Sequence, residues 1–147
     1  MKINTIEKIL NFLKEKENKE LPNKWFDSVK EFELIKELEN HPDGTQYKHR
    51  GDLNLINTNI EKLPNDLYVD GYLNLINCKK ITKLPDNLYV GGNLFLIETS
   101  IEEIPNNLYV VLNLFIGNTP LANKYTDEEI REMITSKGGT LIGKIIR

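Results

Sequence analysis

The sequence predicts an α/β repeat fold: a short solenoid of parallel strands with a helical cap on its N-terminal side and a helix–strand cap on its C-terminal side. Three observations predict it. Residues 51–122 repeat with a period of about twenty residues, which is the mark of units that bury their apolar faces only against their neighbours. Each unit opens with a two-residue apolar alternation, the pattern of a strand with one buried face. Both flanks space their apolar residues as helices do, and a parallel stack needs its exposed ends and strand edges covered.

In chain order, residues 1–50 are expected to form the N-terminal cap. Ile6, Ile9, Leu10 and Leu13 follow an Asn4-x-x-Glu7 capping pattern, and Trp25, Val29, Phe32, Ile35 and Leu38 form a second helical stripe after Pro22. His41-Pro42-Asp43-Gly44 ends that helix in a turn.

The repeats occupy residues 51–70, 71–91 and 92–111, with a partial fourth copy at 112–122. Leu53/Leu55, Leu73/Leu75, Leu94/Leu96 and Leu114/Ile116 take the inward positions. The second half of each unit reads Leu63-Pro64-x-x-Leu67-Tyr68-Val69 and returns as Leu84-Pro85 to Val90 and Ile104-Pro105 to Val110. Proline lacks an amide donor and pushes its predecessor toward extended geometry, so a long return helix is excluded and an extended or short 3₁₀ return is expected. Tyr68, Tyr89 and Tyr109 recur identically, as a structural ladder would.

The segment Leu53-x-Leu55-x-x-Thr58-x-Ile60 resembles the leucine-rich repeat family, with Thr58, Thr99 and Thr119 where that family usually carries Asn. The second unit, Leu73-x-Leu75-x-x-Cys78-x-x-Ile81, is similar to the longer cysteine-type variant. With its prolines, the unit is closest to the short bacterial and phage type, and the resemblance implies a thin solenoid over residues 51–122.

Residues 123–147 are expected to close the other end. Thr126-Asp127-Glu128-Glu129 is a capping box for a helix carrying Ile130, Met133 and Ile134, stopped by Gly138-Gly139, and residues 140–146 read as a last strand. At 147 residues the whole is expected to be one domain.

Composition narrows the function. Nineteen basic and 22 acidic side chains leave a net charge of −3, giving no broad cationic surface for phosphate backbones, so a nucleic-acid binder or mimic is disfavoured. The single cysteine, Cys78, excludes an intramolecular disulfide and suits a reducing compartment, and no apolar run is long enough to span a bilayer. A cytoplasmic location follows as the expectation. His41 and His49 have no further ligand at metal spacing, Gly91-Gly92 lacks the lysine and helix of a phosphate loop, and Glu102-Glu103 lies on a solvated turn. No catalytic residue, metal or cofactor is therefore expected, and Cys78 reads as a small core residue.

The outward positions of the strands vary from unit to unit while the leucines do not, and this contrast separates site from scaffold. One outward column is Asp52, Tyr72, Asn93 and Asn113; the next is Asn54, Asn74, Phe95 and Phe115; Ile56, Ile76, Ile97 and Gly117 lie beyond. Those first two columns are the expected partner-binding residues, with Tyr72, Phe95 and Phe115 as a diagonal aromatic patch. The competing reading is that a helical flank folds over the patch. Lys79, Lys80 and Lys83 form a basic turn that reads as a solvated edge.

The expected function is a non-catalytic protein-interaction module. Size, composition and the resemblance suggest a phage or mobile-element accessory protein that occupies a surface of a host defence protein and inhibits it, in the host cytoplasm. The alternative is a structural or self-associating protein whose exposed face forms a homodimer.

Overall fold

The computed structural model describes residues 23–147, with side chains from Asp27 onward. The expected helix around Ile6 to Leu13 lies outside the described residues. Two units divide between Glu37 and Leu38. In the first, helix α1 begins, spanning Asn23–Glu39 and carrying Val29, Phe32 and Ile35 half-buried. The Lys36 ammonium sits 5.2 Å from the centre of the Phe32 ring.

The second unit is a parallel β-solenoid with a leucine-rich-repeat-like architecture. Its strands are β1 (Lys48–His49), β2 (Leu53–Asn54), β3 (Tyr68–Val69), β4 (Leu73–Asn74), β5 (Tyr89–Val90), β6 (Leu94–Phe95), β7 (Tyr109–Val110), β8 (Leu114–Phe115), β9 (Thr140–Leu141) and β10 (Ile145–Ile146). They form two parallel sheets, ordered β1-β3-β5-β7-β9 and β10-β8-β6-β4-β2. The first is here called the tyrosine sheet and the second the leucine sheet; each turn of chain contributes one strand to both. The tyrosine sheet corrects the expectation for the return segments. After each proline the chain is not merely extended but pairs in register, Tyr68 with Tyr89 with Tyr109, because Tyr-Val alternates one ring outward with one branched side chain inward. Residues 40–50, expected to belong to a helical cap, already supply the first strand of that sheet.

In the leucine sheet the register is Leu53, Leu73, Leu94, Leu114, one rung above another. These leucines, their partners Leu55, Leu75, Leu96 and Ile116, and the valines Val69, Val90 and Val110 are at most 1% exposed and form the core. The assigned strands are two residues long, but the ladder runs on past them: Leu55 N–H donates to Asn74 C=O and Asn57 N–H to Ile76 C=O, and the next rungs repeat this. Every rung is thereby held along most of its length, which satisfies backbone groups that burial would otherwise leave costly.

Sharp turns at fixed positions keep the rungs superimposed. Asn57, Asn77, Glu98 and Asn118 share one left-handed corner, and Asp66, Asn87 and Asn107 another, with φ between 54° and 60°. Asn and Asp tolerate this region better than other residues with a Cβ. At a third corner the chain passes so close to the preceding rung that a Cβ on Gly91 would lie 2.1 Å from the Asp70 carbonyl oxygen.

The column that carries Asn in the resembling family is buried here as Thr58, Cys78, Thr99 and Thr119. Thr99 Oγ1 and Thr119 Oγ1 each donate, at 2.7 Å, to the carbonyl three residues back in their own rung. Cys78 Sγ reaches across instead, 2.9 Å from the Leu55 carbonyl oxygen of the preceding rung. The thiol therefore serves the core.

The fourth repeat ends in helix α2 (Pro120–Lys124), whose first turn is capped when Thr119 Oγ1 accepts from Ala122 N–H. Helix α3 (Asp127–Ser136) opens on the expected capping box, with Thr126 and Glu129 bonding reciprocally, and buries Ile130 and Ile134. Gly138, at φ 80°, turns the chain out of it. Residues 140–146 were expected as one strand. They make two, β9 in the tyrosine sheet and β10 in the leucine sheet, because Ile142-Gly143 turns the same corner that Gly91-Gly92 turns two rungs earlier. This flank is thus the last rung of both sheets.

Candidate protein-interaction face

The outward side chains of the leucine sheet stand where the sequence places them. Pairing of Asn54 with Asn74, Phe95 and Phe115 aligns one column, and β10 extends it to Ile146 opposite Phe115. Phe95 and Phe115 stack with ring centres 4.6 Å apart and planes inclined by 23°, and Tyr72 meets Phe95 edge-on at 6.0 Å. The three rings are half-buried, each retaining a solvent-facing part. Stacked and edge-to-face pairs are favoured geometries, so the rings hold one another in place.

The polar members of the candidate set do something the sequence reading did not anticipate. Asp52 Oδ1 accepts from Tyr72 N–H, Asn93 Oδ1 from Asn113 N–H, and Asn113 Oδ1 from Lys144 N–H, each at 2.9 Å. This column is thus a brace between rungs near the corner. Asn54 and Asn74 turn their Oδ1 atoms onto the N–H groups of Ile56 and Ile76, at 3.2 and 3.0 Å. Five of the eight candidate residues therefore spend an oxygen on the scaffold, and their remaining groups form the polar rim. Recurrence of Asp or Asn at positions 52, 93 and 113 was the available signal for the brace.

The apolar part of the face is larger than the aromatic diagonal. Ile56 is 39% exposed, Ile76 and Ile97 are half-buried beside it, and Ile146 is 36% exposed at the far end of the phenylalanine column. Ile146 is not marked in the sequence because residues 140–146 read there as a single strand. Such a face offers contact area and ring edges. Among the described residues no cluster of three or more His, Cys, Asp or Glu is placed to hold a metal ion. His49, one of the two histidines weighed in the sequence, bonds through Nε2 to the Asp52 carbonyl oxygen at 2.9 Å, and His41 bonds to Thr45. Lys83 pairs with Glu103 at 3.6 Å on an exposed turn.

On the opposite sheet, Tyr68, Tyr89 and Tyr109 stack at 4.3 and 5.3 Å between ring centres, with the Lys48 ammonium 5.0 Å from the Tyr68 ring centre. The ladder lies on the outward surface. Tyr68 and Tyr89 are half-buried there, and Tyr109, at the end of the stack, is 37% exposed.

No helix among the described residues is long and apolar enough to cross a membrane. Comparison with protein-family models, with curated proteins and with solved structures found no match to this chain.

Proposed function

We propose that the leucine sheet is the docking face of a non-catalytic protein-interaction module. The observation that carries the reading is the Tyr72–Phe95–Phe115 cluster at positions where the core makes no demand: the column of Phe95 and Phe115 holds Asn54 and Asn74 in the two preceding rungs without disturbing the leucines behind. Apolar area left in water is unfavourable by about 25 cal/mol per Å², so a row of rings on a surface that tolerates asparagine favours a contact that covers them. The braced asparagines beside the rings supply a rigid polar rim, and rigid aromatic anchors within a polar rim are how interface energy is concentrated.

A narrower form of the proposal is that the partner is a host defence protein and that this chain, encoded by a phage or mobile element, inhibits it in the host cytoplasm by covering a surface. It rests on chain size, composition and the family resemblance. Affinity capture from host extract tests both forms when wild type is run beside Phe95→Ala and Phe115→Ala. A protein retained by wild type and lost with both variants at unchanged melting temperature supports the face, and inhibition of that protein's activity supports the narrower form. Retention by all three chains rejects the face as the site.

A further inference from the structure

A phenol can give up one electron together with its hydroxyl proton, and the radical that results carries unpaired density on the two ring carbons beside the oxygen, in lobes perpendicular to the ring. Two such rings join carbon to carbon where those lobes face each other. The tyrosine sheet sets up that meeting. Parallel pairing puts Tyr68 of β3 level with Tyr89 of β5, and Tyr89 level with Tyr109 of β7, so equivalent atoms of adjacent rings stand side by side. Tyr68 and Tyr89 lie 4.3 Å apart between ring centres, with their planes inclined by only 2°. Their oxygens are close as well: after burial, repulsion and a hydroxyl hydrogen bond from Tyr68 contribute to the raised pKa of Tyr89. With hydroxyl beside hydroxyl, the carbons that flank each oxygen also meet.

Tyr89 and Tyr109 stack more loosely, at 5.3 Å and 19°. Tyr109 is exposed and has Thr140 rather than another ring beside it on β9. It is the ring of the stack most open to an oxidant in solution, and ring contact lets the electron deficit pass inward to Tyr89. The backbone holds the tighter pair in place: Tyr89 N–H donates to Leu67 C=O and Gly91 N–H to Val69 C=O, each at 2.9 Å. Reactants fixed in contact react without the entropy cost of finding each other. Phe95 and Phe115 stack almost as closely on the opposite sheet, at 4.6 Å, but a phenyl ring has no hydroxyl proton to release.

We propose that Tyr68 and Tyr89 form an oxidative coupling site, at which a one-electron oxidant joins the two rings as dityrosine and ties one rung covalently to the next. Two equivalents of the oxidant each accept one electron, one from each ring, and each hydroxyl proton leaves to solvent. The two unpaired electrons form a bond between one Cε of each ring. Each joined carbon then releases its hydrogen as a proton while the oxygen on the same ring takes one up, which restores two phenols. In total the protein loses two electrons to the oxidant and two protons to solvent. The link closes a loop of one repeat, so it restricts the unfolded chain more than the folded one, whose rungs are already paired. Coupling here is independent of what docks on the leucine sheet.

The test oxidises the dilute full chain with tris(bipyridine)ruthenium(III), generated by light and persulfate. Products are mapped by mass spectrometry after cleavage at aspartate and glutamate, which puts Tyr68, Tyr89 and Tyr109 on different peptides. The expected product is a monomer lighter by two hydrogens, with the Tyr68 peptide joined to the Tyr89 peptide in a yield that does not change on dilution. Tyr109→Phe should retain the link and Tyr68→Phe should lose it, both with rings that still stack. Wild-type chain oxidised in urea should lose it too. The linked monomer should melt at a higher temperature than the untreated chain. A predominant Tyr89–Tyr109 link, links between chains that increase with concentration, or hydroxylated rings without any link would each overturn the assignment. So would a Tyr68–Tyr89 link formed equally in urea, because the ladder would then not be what brings the rings together. A linked monomer that melts no higher than the untreated chain would overturn its part as a tie between rungs.

Discussion

Asn77 donates from Nδ2 to Asn57 Oδ1 of the preceding rung at 2.8 Å, but its own Oδ1 is buried without a hydrogen-bond partner. The following rung carries Glu98 at the position that would return the bond, and Glu98 holds a left-handed φ of 59° that asparagine adopts more readily. At the other left-handed corner the ladder is complete, from Asn107 to Asn87 at 2.8 Å and from Asn87 to Asp66 at 2.6 Å. Glu98→Asn is therefore expected to stabilise the fold by about 1 kcal/mol through the restored bond. Thermal unfolding checks it; an unchanged or lower midpoint would show that the Asn77 oxygen is satisfied in another way.

Leu94→Ala removes a fully buried side chain from the central rung, where neighbours on both sides are fixed by the ladder and cannot collapse into the gap. A loss of about 2–5 kcal/mol is expected. Urea unfolding with a loss below about 1 kcal/mol would be incompatible with a cavity of that kind.

Phe95→Ala and Phe115→Ala, by contrast, remove half-buried rings from an outward column that elsewhere accepts asparagine. Each should weaken binding of a captured partner by about 2 kcal/mol or more, as loss of an aromatic anchor does, with little change in unfolding. Calorimetric titration of each variant gives the affinity. Wild-type affinity in both would move the site elsewhere.

Tyr89 sits between two other phenols, and its pKa is raised, first by burial and then by repulsion from Tyr68. The protonated ring is the form that the folded state prefers. Its contribution to stability is therefore full below the ordinary tyrosine pKa of about 10 and is lost as pH rises from there through the higher folded value. Tyr89→Phe should remove one phenolate from the ultraviolet titration and lessen the stability loss above about pH 10. An unchanged loss of stability over that range in the variant would show that Tyr89 does not contribute to it.

Gly91→Ala should be severely destabilising, because the added methyl would meet a backbone carbonyl oxygen that the ladder holds in place. The matching test is Gly44→Ala, where the surroundings are open but φ is 83°: strain without a clash. Comparable melting of the two variants would mean that the corner yields.

These relationships explain what a reader of the residues alone can and cannot find. The leucine register and the outward columns were legible because burial repeats identically while the surface varies, and the period made each equivalence unambiguous. The second sheet was not, since Tyr68-Val69 and its copies span only two residues and leave too short an alternation to separate a strand from an extended return. β10 was hidden for a related reason: Thr140 to Ile146 is apolar enough to read as one run, and only the stacking of Ile142-Gly143 over earlier corners reveals the turn. The brace made by Asp52, Asn93 and Asn113 was not legible because a side chain bonding the next rung's backbone looks, in one dimension, like any other exposed polar residue.

Because successive rungs superimpose residue on residue, the phenylalanine row is a molecular ruler. Its length can change only in whole steps of about 4.8 Å, the separation of paired strands, and each step brings one new outward side chain into the row without moving the others. Duplication or loss of one repeat would thus change the reach of the surface by a fixed graduation, and single substitutions would change what is read at each mark.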